Sequence, residues 1–475
     1  MRKLIALAAL TCGLSLATGC GNNDENNTTG HNTTVTVPDT YTFTDASGES
    51  TVSYSGQITR HVLIEDLKSY MGGMSEAIDG GTFAPTTDGE VVAELDYYLR
   101  FDSAANGENP LRLSTTPAPA QETYNAISPD KNLIDKLAGN DSSTDHKNWS
   151  TAFVGWSDGS IDPRDGQITS PQDLVEAWFE LVEDHAIARV GGTDRTVNGE
   201  VLPVYVTETG LDLNQLTQKL LVGAIAFSQA ADDYADDDIE GKGLLASNVR
   251  PAEGGYTPLE HAWDEAFGYF GAARGYKQWT LAEISAAYKD ADGDGKIDLS
   301  SEYCFGASGN AAKRDSGSQD GAKTTFAQDA IAGFLAGRAL ISSVDGELSA
   351  AQIEALKGHR DQWEQAWEKA YAATVIHYIN DVLGDMDRFG TDDYVFLDHA
   401  KHWGELKGFA LSFQFNPRSP LTDAQFAELH QLIGDAPVLA DAETSAIDDY
   451  KMRLGQARDL LGQAYGFEAA NVQAW

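Results

Sequence analysis

Apolar residues recur at helical spacing through most of this 475-residue chain, whereas the alternation typical of strands is confined to short segments. Helical patterns cover 56–73, 91–99, 132–137, 171–190, 211–234, 256–276, 281–289, 325–342, 349–383, 393–413, 422–432 and 443–461. A short hairpin or an extended lead-in is predicted at 41–54, and a hairpin at 196–207, where Asn198-Gly199 suits a tight turn. The pattern predicts a mainly α fold of two packed helical bundles with small β-hairpin excursions.

The first residues have the pattern of a secretion signal rather than of a folded element. Arg2 and Lys3 precede an apolar stretch at 4–17, and the following Leu16-Ala17-Thr18-Gly19-Cys20 resembles the lipobox of bacterial lipoproteins. The resemblance implies cleavage before Cys20, lipidation of Cys20, and an outer-membrane lipoprotein of the cell envelope whose membrane face stays open. A plain secreted protein cut nearby is the alternative.

These patterns divide the chain into four parts. We expect a signal peptide at 1–19, an Asn/Thr-rich disordered tether at 20–38, a first helical unit at 39–320 and a second helical bundle at 321–475.

Charge and cysteine content narrow the classes of function. Asp and Glu number 73 against 33 Lys and Arg, and the resulting net charge of -40 disfavours nucleic acid and anionic lipid as partners. An acidic surface is equally compatible with salt adaptation. Of the three cysteines, only Cys304 remains once Cys12 leaves with the signal and Cys20 is acylated. An intramolecular disulfide is therefore not expected, and Cys304 is expected to be a small buried residue.

The helix predicted within 256–276 is the first candidate for chemistry. Thr257 and Glu260 have capping-box spacing, and an apolar stripe follows. His261, Asp264 and Glu265 stand three and four residues apart, which predicts a shared face. Ionisable groups on a largely buried helix need partners, which are each other, an Arg or Lys, or a metal ion.

A second candidate is the Asp-rich segment at 290–302, which follows a predicted helix. Its pattern matches the start of a calcium-binding loop, with a glycine for the sharp turn. The expected acidic residue at position twelve comes one place late, as Glu302. The predicted ligands of a structural Ca²⁺ are Asp290, Asp292, Asp294, the Lys296 carbonyl, Asp298 and Glu302.

Two segments resemble the imelysin family, a helical lipoprotein-type family linked to bacterial iron uptake and once classed as peptidases. The segments are His261-Ala262-Trp263-Asp264 and Trp403 to Phe409. The chain resembles more closely an uncharacterised lipoprotein family related to imelysin, which shares the motif at 260–272, the Asp-rich loop and Asn310 to Asp315. The resemblance implies two helical bundles with a polar site between them, and no established activity.

Further ionisable side chains are candidates to complete such a site. The additional candidates are Glu405, His377, Asp381, His402, Arg60 and His61. His377 and Asp381 are four residues apart, and His402 and Glu405 are three residues apart. Each pair is therefore separated by about one helical turn. Imidazole with carboxylate suits Fe or Zn, which predicts such an ion at the His261 site. The alternative for each single histidine is a hydrogen-bonded core or surface residue.

Several catalytic motifs are missing from the sequence. It contains neither the His-Glu-x-x-His of zinc peptidases nor the Gly-x-Ser-x-Gly of serine hydrolases. The resemblance to imelysin and the lipoprotein signal imply a lipid-anchored, imelysin-like binding protein that assists metal, iron or haem-iron acquisition. A glycan- or nutrient-binding lipoprotein partnering an outer-membrane transporter is the second hypothesis, and a hydrolase or peptidase the third.

Overall fold

The structure is a computed structural model that describes residues 35–141, 146–157, 161, 164 and 166–475. Residues 36–475 form one compact unit. The signal peptide, Cys20 and nearly all of the tether lie outside the described residues. The division at 320/321 stays a prediction.

Helices dominate the described part of the chain, which confirms the mainly α fold. The sixteen α-helices are α1 Ser55–Asp79, α2 Glu90–Leu99, α3 Ser103–Asn106, α4 Tyr124–Ile127, α5 Trp149–Ala152, α6 Pro171–Val190, α7 Leu213–Leu221, α8 Pro258–Phe270, α9 Leu281–Ser285, α10 Gly306–Gly317, α11 Phe326–Ser342, α12 Ala350–Met386, α13 Phe396–Ala410, α14 Asp423–Ile433, α15 Thr444–Ala464 and α16 Ala469–Ala474. Short 3₁₀ turns lie at Ile134–Lys136, Gly243–Leu245, Tyr276–Gln278 and Leu411–Phe415. No helix among the described residues is long and apolar enough to cross a membrane.

The strands of the described residues form one two-stranded hairpin, which lies within the range predicted at 196–207. β1 (Thr196–Val197) pairs antiparallel with β2 (Glu200–Val201), and Val197 lies opposite Glu200. Asn198 and Gly199 both have positive φ, at 53° and 83°, as a type I′ turn requires.

Two predicted boundaries were wrong, and a third helix changes its winding within its predicted range. Gly72-Gly73 do not end α1, which continues to Asp79 because Met71, Met74 and Ile78 bury apolar surface and outweigh the weak helix propensity of glycine. The helix predicted at 281–289 stops at Ser285, ahead of Ala287 with its φ of 73°. The pattern at 211–234 continues after α7 as two wider π-helical segments, Val222–Phe227 and Gln229–Tyr234.

The long helix α12 lies at the centre of the fold and packs against α11 and α13. Its Trp363 ring stacks on Phe334 of α11 with centroids 4.5 Å apart, and Trp367 packs edge-on against Phe270 of α8. These aromatic contacts join α8, α11 and α12 in one core. Helices α10 and α13 pack on other parts of α12 and hold their polar side chains in fixed positions.

Candidate functional site

Helix α8 begins as its sequence predicts. Thr257 Oγ1 accepts a hydrogen bond from the Glu260 backbone N–H at 3.0 Å, and the Glu260 carboxylate accepts one from the Thr257 N–H at 2.9 Å. This reciprocal capping satisfies two backbone donors at the start of the helix. The cap also fixes the direction in which the next acidic residues point.

Asp264 serves the core rather than a shared polar face. Its carboxylate accepts hydrogen bonds from Arg338 Nε at 2.8 Å, from the Tyr41 hydroxyl at 2.8 Å and from the Ser53 N–H at 3.1 Å. Arg338, itself fully buried, also pairs with Glu260 at 2.9 Å. Burial raises the pKa of Asp264, while Arg338 opposes that rise. The group is a buried ion network that ties α8 to α11.

His261 and Glu265 lie apart from that network, at the protein surface. His261 Nε2 is 3.6 Å from a Glu265 oxygen, and the imidazole stacks on Tyr256 with centroids 4.4 Å apart. Gln57 donates a hydrogen bond to the other Glu265 oxygen at 2.9 Å. The structure therefore brings two of the three predicted residues together and places Asp264 elsewhere.

Arg60 and His61 of α1 are buried and have backbone partners. Arg60 Nε donates to the Asn132 carbonyl at 2.8 Å. His61 Nε2 lies 3.2 and 3.1 Å from the carbonyl oxygens of Gly268 and Tyr269. Burial lowers the pKa of His61 to about 4, so the ring is neutral near pH 7 and its contacts join α1 to α8.

The predicted histidines of the second half form carboxylate pairs. His377 Nε2 is 3.3 Å from Asp381, and His402 Nδ1 is 2.7 Å from Asp385, a partner that the sequence did not single out. Burial disfavours the charged His402 ring, but the hydrogen bond to Asp385 and the negative charges of Asp385, Asp381 and Glu405 together outweigh it and raise the pKa of His402. Glu405, one turn beyond His402, faces a different volume.

That volume is a cavity of about 320 Å³, which we call the central cavity. It lies between α1, α7, α10, α12 and α13, and the loop segments on either side of the Asp-rich loop complete its wall. Its polar lining comprises Glu65, Lys68, Gln218, Lys219, Ser285, Tyr303, Asn310, Lys313, Arg314, Tyr378 and Glu405. The apolar lining includes Val222, Ile284, Phe305 and Phe409. Of the residues predicted for a site, only Glu405 is among these lining residues of the described chain.

A chain of polar contacts crosses one side of the central cavity. Gln218 donates to Glu65 at 3.0 Å, and Lys219 donates to Gln218 at 2.7 Å. Lys219 Nζ also lies 3.5 Å from Glu405 and 5.4 Å from the centre of the Phe409 ring. Burial and the nearby Lys68 lower the pKa of Lys219 to about 8, against the pull of Glu405.

The opposite side of the cavity is formed by α10, which the sequence prediction missed. Asn310, Lys313 and Arg314 recur at helical spacing and line the cavity together. The segment has three glycines at 306–317, which weakens its helical pattern, but Ala307, Ala311 and Ala312 are buried against neighbouring helices. Family-shared residues 310–315 were the only signal that pointed here.

The lone thiol lies in the wall of the same cavity. Cys304 is 4% exposed, as its predicted role as a small buried residue requires. Burial raises the pKa of its thiol to about 12, so the reactive thiolate is scarce at neutral pH.

The Asp-rich loop lies next to the cavity wall. Oxygens of Asp290, Asp292 and Asp294 come within 4.8 Å of one another, the only group of three or more acidic, His or Cys residues in the described chain that is close enough to hold an ion. Glu302 accepts hydrogen bonds from the N–H groups of Ala291, Asp292 and Asp298. Glu302 therefore closes the loop by accepting hydrogen bonds from the loop backbone, and both of its carboxylate oxygens have partners.

The remaining predicted calcium ligands also belong to this loop. Asp298 accepts from the Ser300 N–H at 2.7 Å, and the Lys296 N–H donates to Asp294 at 2.8 Å. Backbone partners thus hold these carboxylates in place.

Fold and cavity together define the class as a mainly α protein with a polar site between its helices. The chain belongs to the family described as Domain of unknown function (DUF4856), whose model matches residues 120–362. No curated protein and no solved structure matches the chain. The matched range contains α7, α8, the Asp-rich loop and α10, while Lys68 and Glu405 reach the cavity from outside it.

Proposed function

We propose that this protein is a lipid-anchored binding protein of the bacterial cell envelope that holds a small ligand in the central cavity. The observation that carries the proposal is the position of this cavity between helices from both halves of the chain. Lining residues come from two of the segments on which the family resemblances rest, Asn310 to Asp315 and Trp403 to Phe409. A polar pocket built from several rigid elements is typical of small-molecule sites.

Binding is favoured over catalysis by the chemistry of the lining. No histidine is among the described lining residues, and Ser285 and Cys304 have no imidazole beside them there. Serine and cysteine nucleophiles require an adjacent base or a lowered pKa, whereas the pKa of Cys304 is raised. A hydrolase is therefore the weakest of the three hypotheses.

The cargo that we propose is a metal- or iron-bearing ligand, or haem-iron, on the strength of the imelysin resemblance. The His261–Glu265 pair and the His377–Asp381 pair offer the imidazole and carboxylate donors that Fe and Zn accept. Each pair supplies two donors and is not among the lining of the central cavity, so an ion bound at a pair would take its further ligands from solvent.

Glycan or nutrient capture for an outer-membrane transporter is the second candidate. Its specific support is the set of aromatic rings in the cavity wall, Tyr303, Phe305, Tyr378 and Phe409. We further propose that the Asp-rich loop binds a structural Ca²⁺, with Asp290, Asp292 and Asp294 as its first ligands.

Elemental analysis and native mass spectrometry of the protein purified without chelator test this function. Wild type is expected to retain Fe or Zn and a bound small molecule. The His261→Ala, Glu265→Ala double variant is expected to lose the metal, and Glu405→Gln to lose the small molecule. Glu428→Gln, which changes an exposed carboxylate on α14, serves as the control. Equal metal content in all four proteins, without any retained molecule, would contradict the proposal.

A further inference from the structure

The central cavity has the opposite charge balance from the rest of the protein. Four cationic side chains line it, Lys68, Lys219, Lys313 and Arg314, against two carboxylates, Glu65 and Glu405. Over the whole chain, 73 acidic residues outnumber 33 basic ones. A reversal of this kind places positive potential where a ligand would lie, because fields are focused in clefts with low-dielectric walls.

Most of this positive charge has no protein partner. In the described chain, no hydrogen bond or ion pair joins the side chains of Lys68, Lys313 or Arg314 to another protein group; Lys313 is exposed, whereas Lys68 and Arg314 are half-buried. Arg314 Nε is buried without an acceptor. Asp381 and Glu405 attract the Arg314 guanidinium only from beyond ion-pair distance, and burial lowers its pKa. A buried donor left without an acceptor destabilises the protein unless a ligand supplies one.

The two carboxylates of the lining have partners of their own. Glu405 lies beside Lys219 at 3.5 Å, and Glu65 accepts from Gln218 at 3.0 Å. They consequently neutralise the Lys219 side of the cavity and leave the charge of α10 and Lys68 uncompensated. Asp212, buried behind this side, is near Lys68 and Glu405 and has a pKa raised to about 6 by burial.

We infer that the ligand of the central cavity is a small, multiply charged oxyanion that also carries hydroxyl groups. This inference rests on the proposed ligand-binding function and adds the chemical class of the ligand. Arg314 would bind carboxylate or phosphate oxygens through its planar fork, with Lys68 and Lys313 as further point charges. The free lone pairs of Glu65 and Glu405 would accept hydrogen bonds from ligand hydroxyls.

The cavity geometry argues against other ligand classes. Four cations repel a bare metal ion or a polyamine, and the volume of about 320 Å³ admits only a small molecule. A polymeric anion would have to lie along the acidic surface to reach the cavity. Hydroxycarboxylates and sugar phosphates share the required chemistry.

Isothermal titration calorimetry of the protein in a buffer free of phosphate and carboxylate tests the inference. The probes are citrate, glucose 6-phosphate, inorganic phosphate, glucose as the neutral ligand and spermidine as the cationic one. We expect citrate or glucose 6-phosphate to bind at one site per chain, and glucose and spermidine not to bind. The tighter of the two oxyanions identifies the carboxylate or the phosphate as the source.

Two variants assign the binding to the cavity. Arg314→Gln and the Lys68→Met, Lys313→Met double variant are each expected to weaken oxyanion binding by about tenfold or more, since each removes charge-assisted hydrogen bonds. Arg100→Gln removes a partly exposed arginine that pairs with Asp96 and Glu176 and does not line the cavity, and this variant should bind as wild type does. Unchanged circular dichroism and melting temperature establish that each variant is folded.

The outcomes separate this inference from the proposed function. Binding of glucose or spermidine without any oxyanion would overturn the inference and leave a ligand-binding protein. Oxyanion binding that is unchanged in both cavity variants would also overturn it, because the anion would then lie elsewhere. If no probe binds, the inference fails, and the proposed function fails with it only if native mass spectrometry also finds no retained molecule.

Discussion

Arg338 is the residue on which the buried polar network of α8 and α11 depends. It pairs with Asp264 at 2.8 Å and with Glu260 at 2.9 Å, and its remaining nitrogen donates to Thr51 Oγ1 at 2.9 Å. All these groups are buried. Removing one member of such a network leaves the others charged or unpaired in a medium of low dielectric constant.

We therefore expect Arg338→Met to lower the free energy of unfolding by about 3 to 5 kcal/mol, because Asp264 loses the one cationic ion-pair partner that it has among the described residues. Urea unfolding followed by circular dichroism measures the change. Arg100→Met is the matched control, since its ion pairs are partly exposed and should contribute less than about 1 kcal/mol. Equal losses in the two variants would contradict the buried-network interpretation.

Glu368 of α12 provides a pH-dependent contribution to stability. Its carboxyl group is fully buried and accepts hydrogen bonds from Ser419 at 2.5 Å and from the Tyr465 hydroxyl at 2.6 Å. Burial raises its pKa to about 7. The folded state therefore retains a proton that the unfolded chain, with its ordinary glutamate pKa, releases above pH 4.5.

This difference in proton binding favours the folded state at low pH and is lost as the pH rises through 7. Between pH 4.5 and pH 7, Glu368 is expected to lower the free energy of unfolding by about 3 kcal/mol. Urea unfolding of wild type and Glu368→Gln at pH 5 and pH 7.5 measures it, and the variant should show the smaller decrease with pH. Glu428→Gln, with its exposed side chain, should decrease as wild type does. An identical pH dependence in wild type and Glu368→Gln would refute the assignment.

At the level of single residues, the sequence predicted which residues are buried better than it predicted which residues contact one another. The burial of α8 and its need for charge compensation followed from the apolar stripe and from three nearby ionisable groups. The compensating residue, Arg338, is 74 positions away from Asp264. No local pattern indicates which of the arginines in a chain will meet a given carboxylate, because that choice is made by helix packing.

Among the elements, the Asp-rich loop is the one whose chemistry is most local. It joins Tyr288 to Tyr303 across a single antiparallel bridge, and Asp290, Asp292 and Asp294 turn their oxygens toward one another. Three carboxylates this close repel each other, and a divalent cation would relieve the repulsion.

We expect Ca²⁺ to raise the melting temperature of wild type, because binding to the folded state alone stabilises it. Differential scanning fluorimetry with Ca²⁺ and with a chelator measures the shift. Asp292→Asn, Asp294→Asn should abolish the shift and also raise the calcium-free melting temperature slightly. Asp88→Asn changes an exposed aspartate elsewhere and should leave the shift intact. A shift of equal size in the double variant would place the ion at another site.

Element prediction succeeded where the periodicity was long and failed where glycine interrupted it. Helix α6 begins and ends at the predicted residues, with Ser170 as its cap and Pro171 in its first turn. Helix α10 was missed because its glycines suppress the local signal and tertiary packing supplies the stabilisation. The omission mattered, since α10 carries two of the four cationic side chains of the central cavity.

For the whole molecule, the fold class was predictable and the cavity was not. Helical periodicity sufficed for a mainly α architecture, whereas the cavity combines Glu65 of α1, Lys219 of α7, Arg314 of α10 and Glu405 of α13. These residues become neighbours only through packing of helices that are distant in the chain. The predicted site was correspondingly divided, with Glu405 in the cavity and the His261–Glu265 pair at the surface.

The reversed charge of the central cavity has a kinetic consequence. An anion approaching from solvent first meets the repulsive field of a body with net charge -40, and is attracted only near the four cations that line the cavity. The repulsion extends over about 8 Å at physiological ionic strength. It slows the entry of the anion but does not weaken the contacts that the bound anion makes. Added salt would thus speed entry of the anion by screening this repulsion. The contacts of the bound anion with the cavity cations are screened less. Exchange of an anionic ligand is therefore expected to be slow in dilute solution and faster when salt is added.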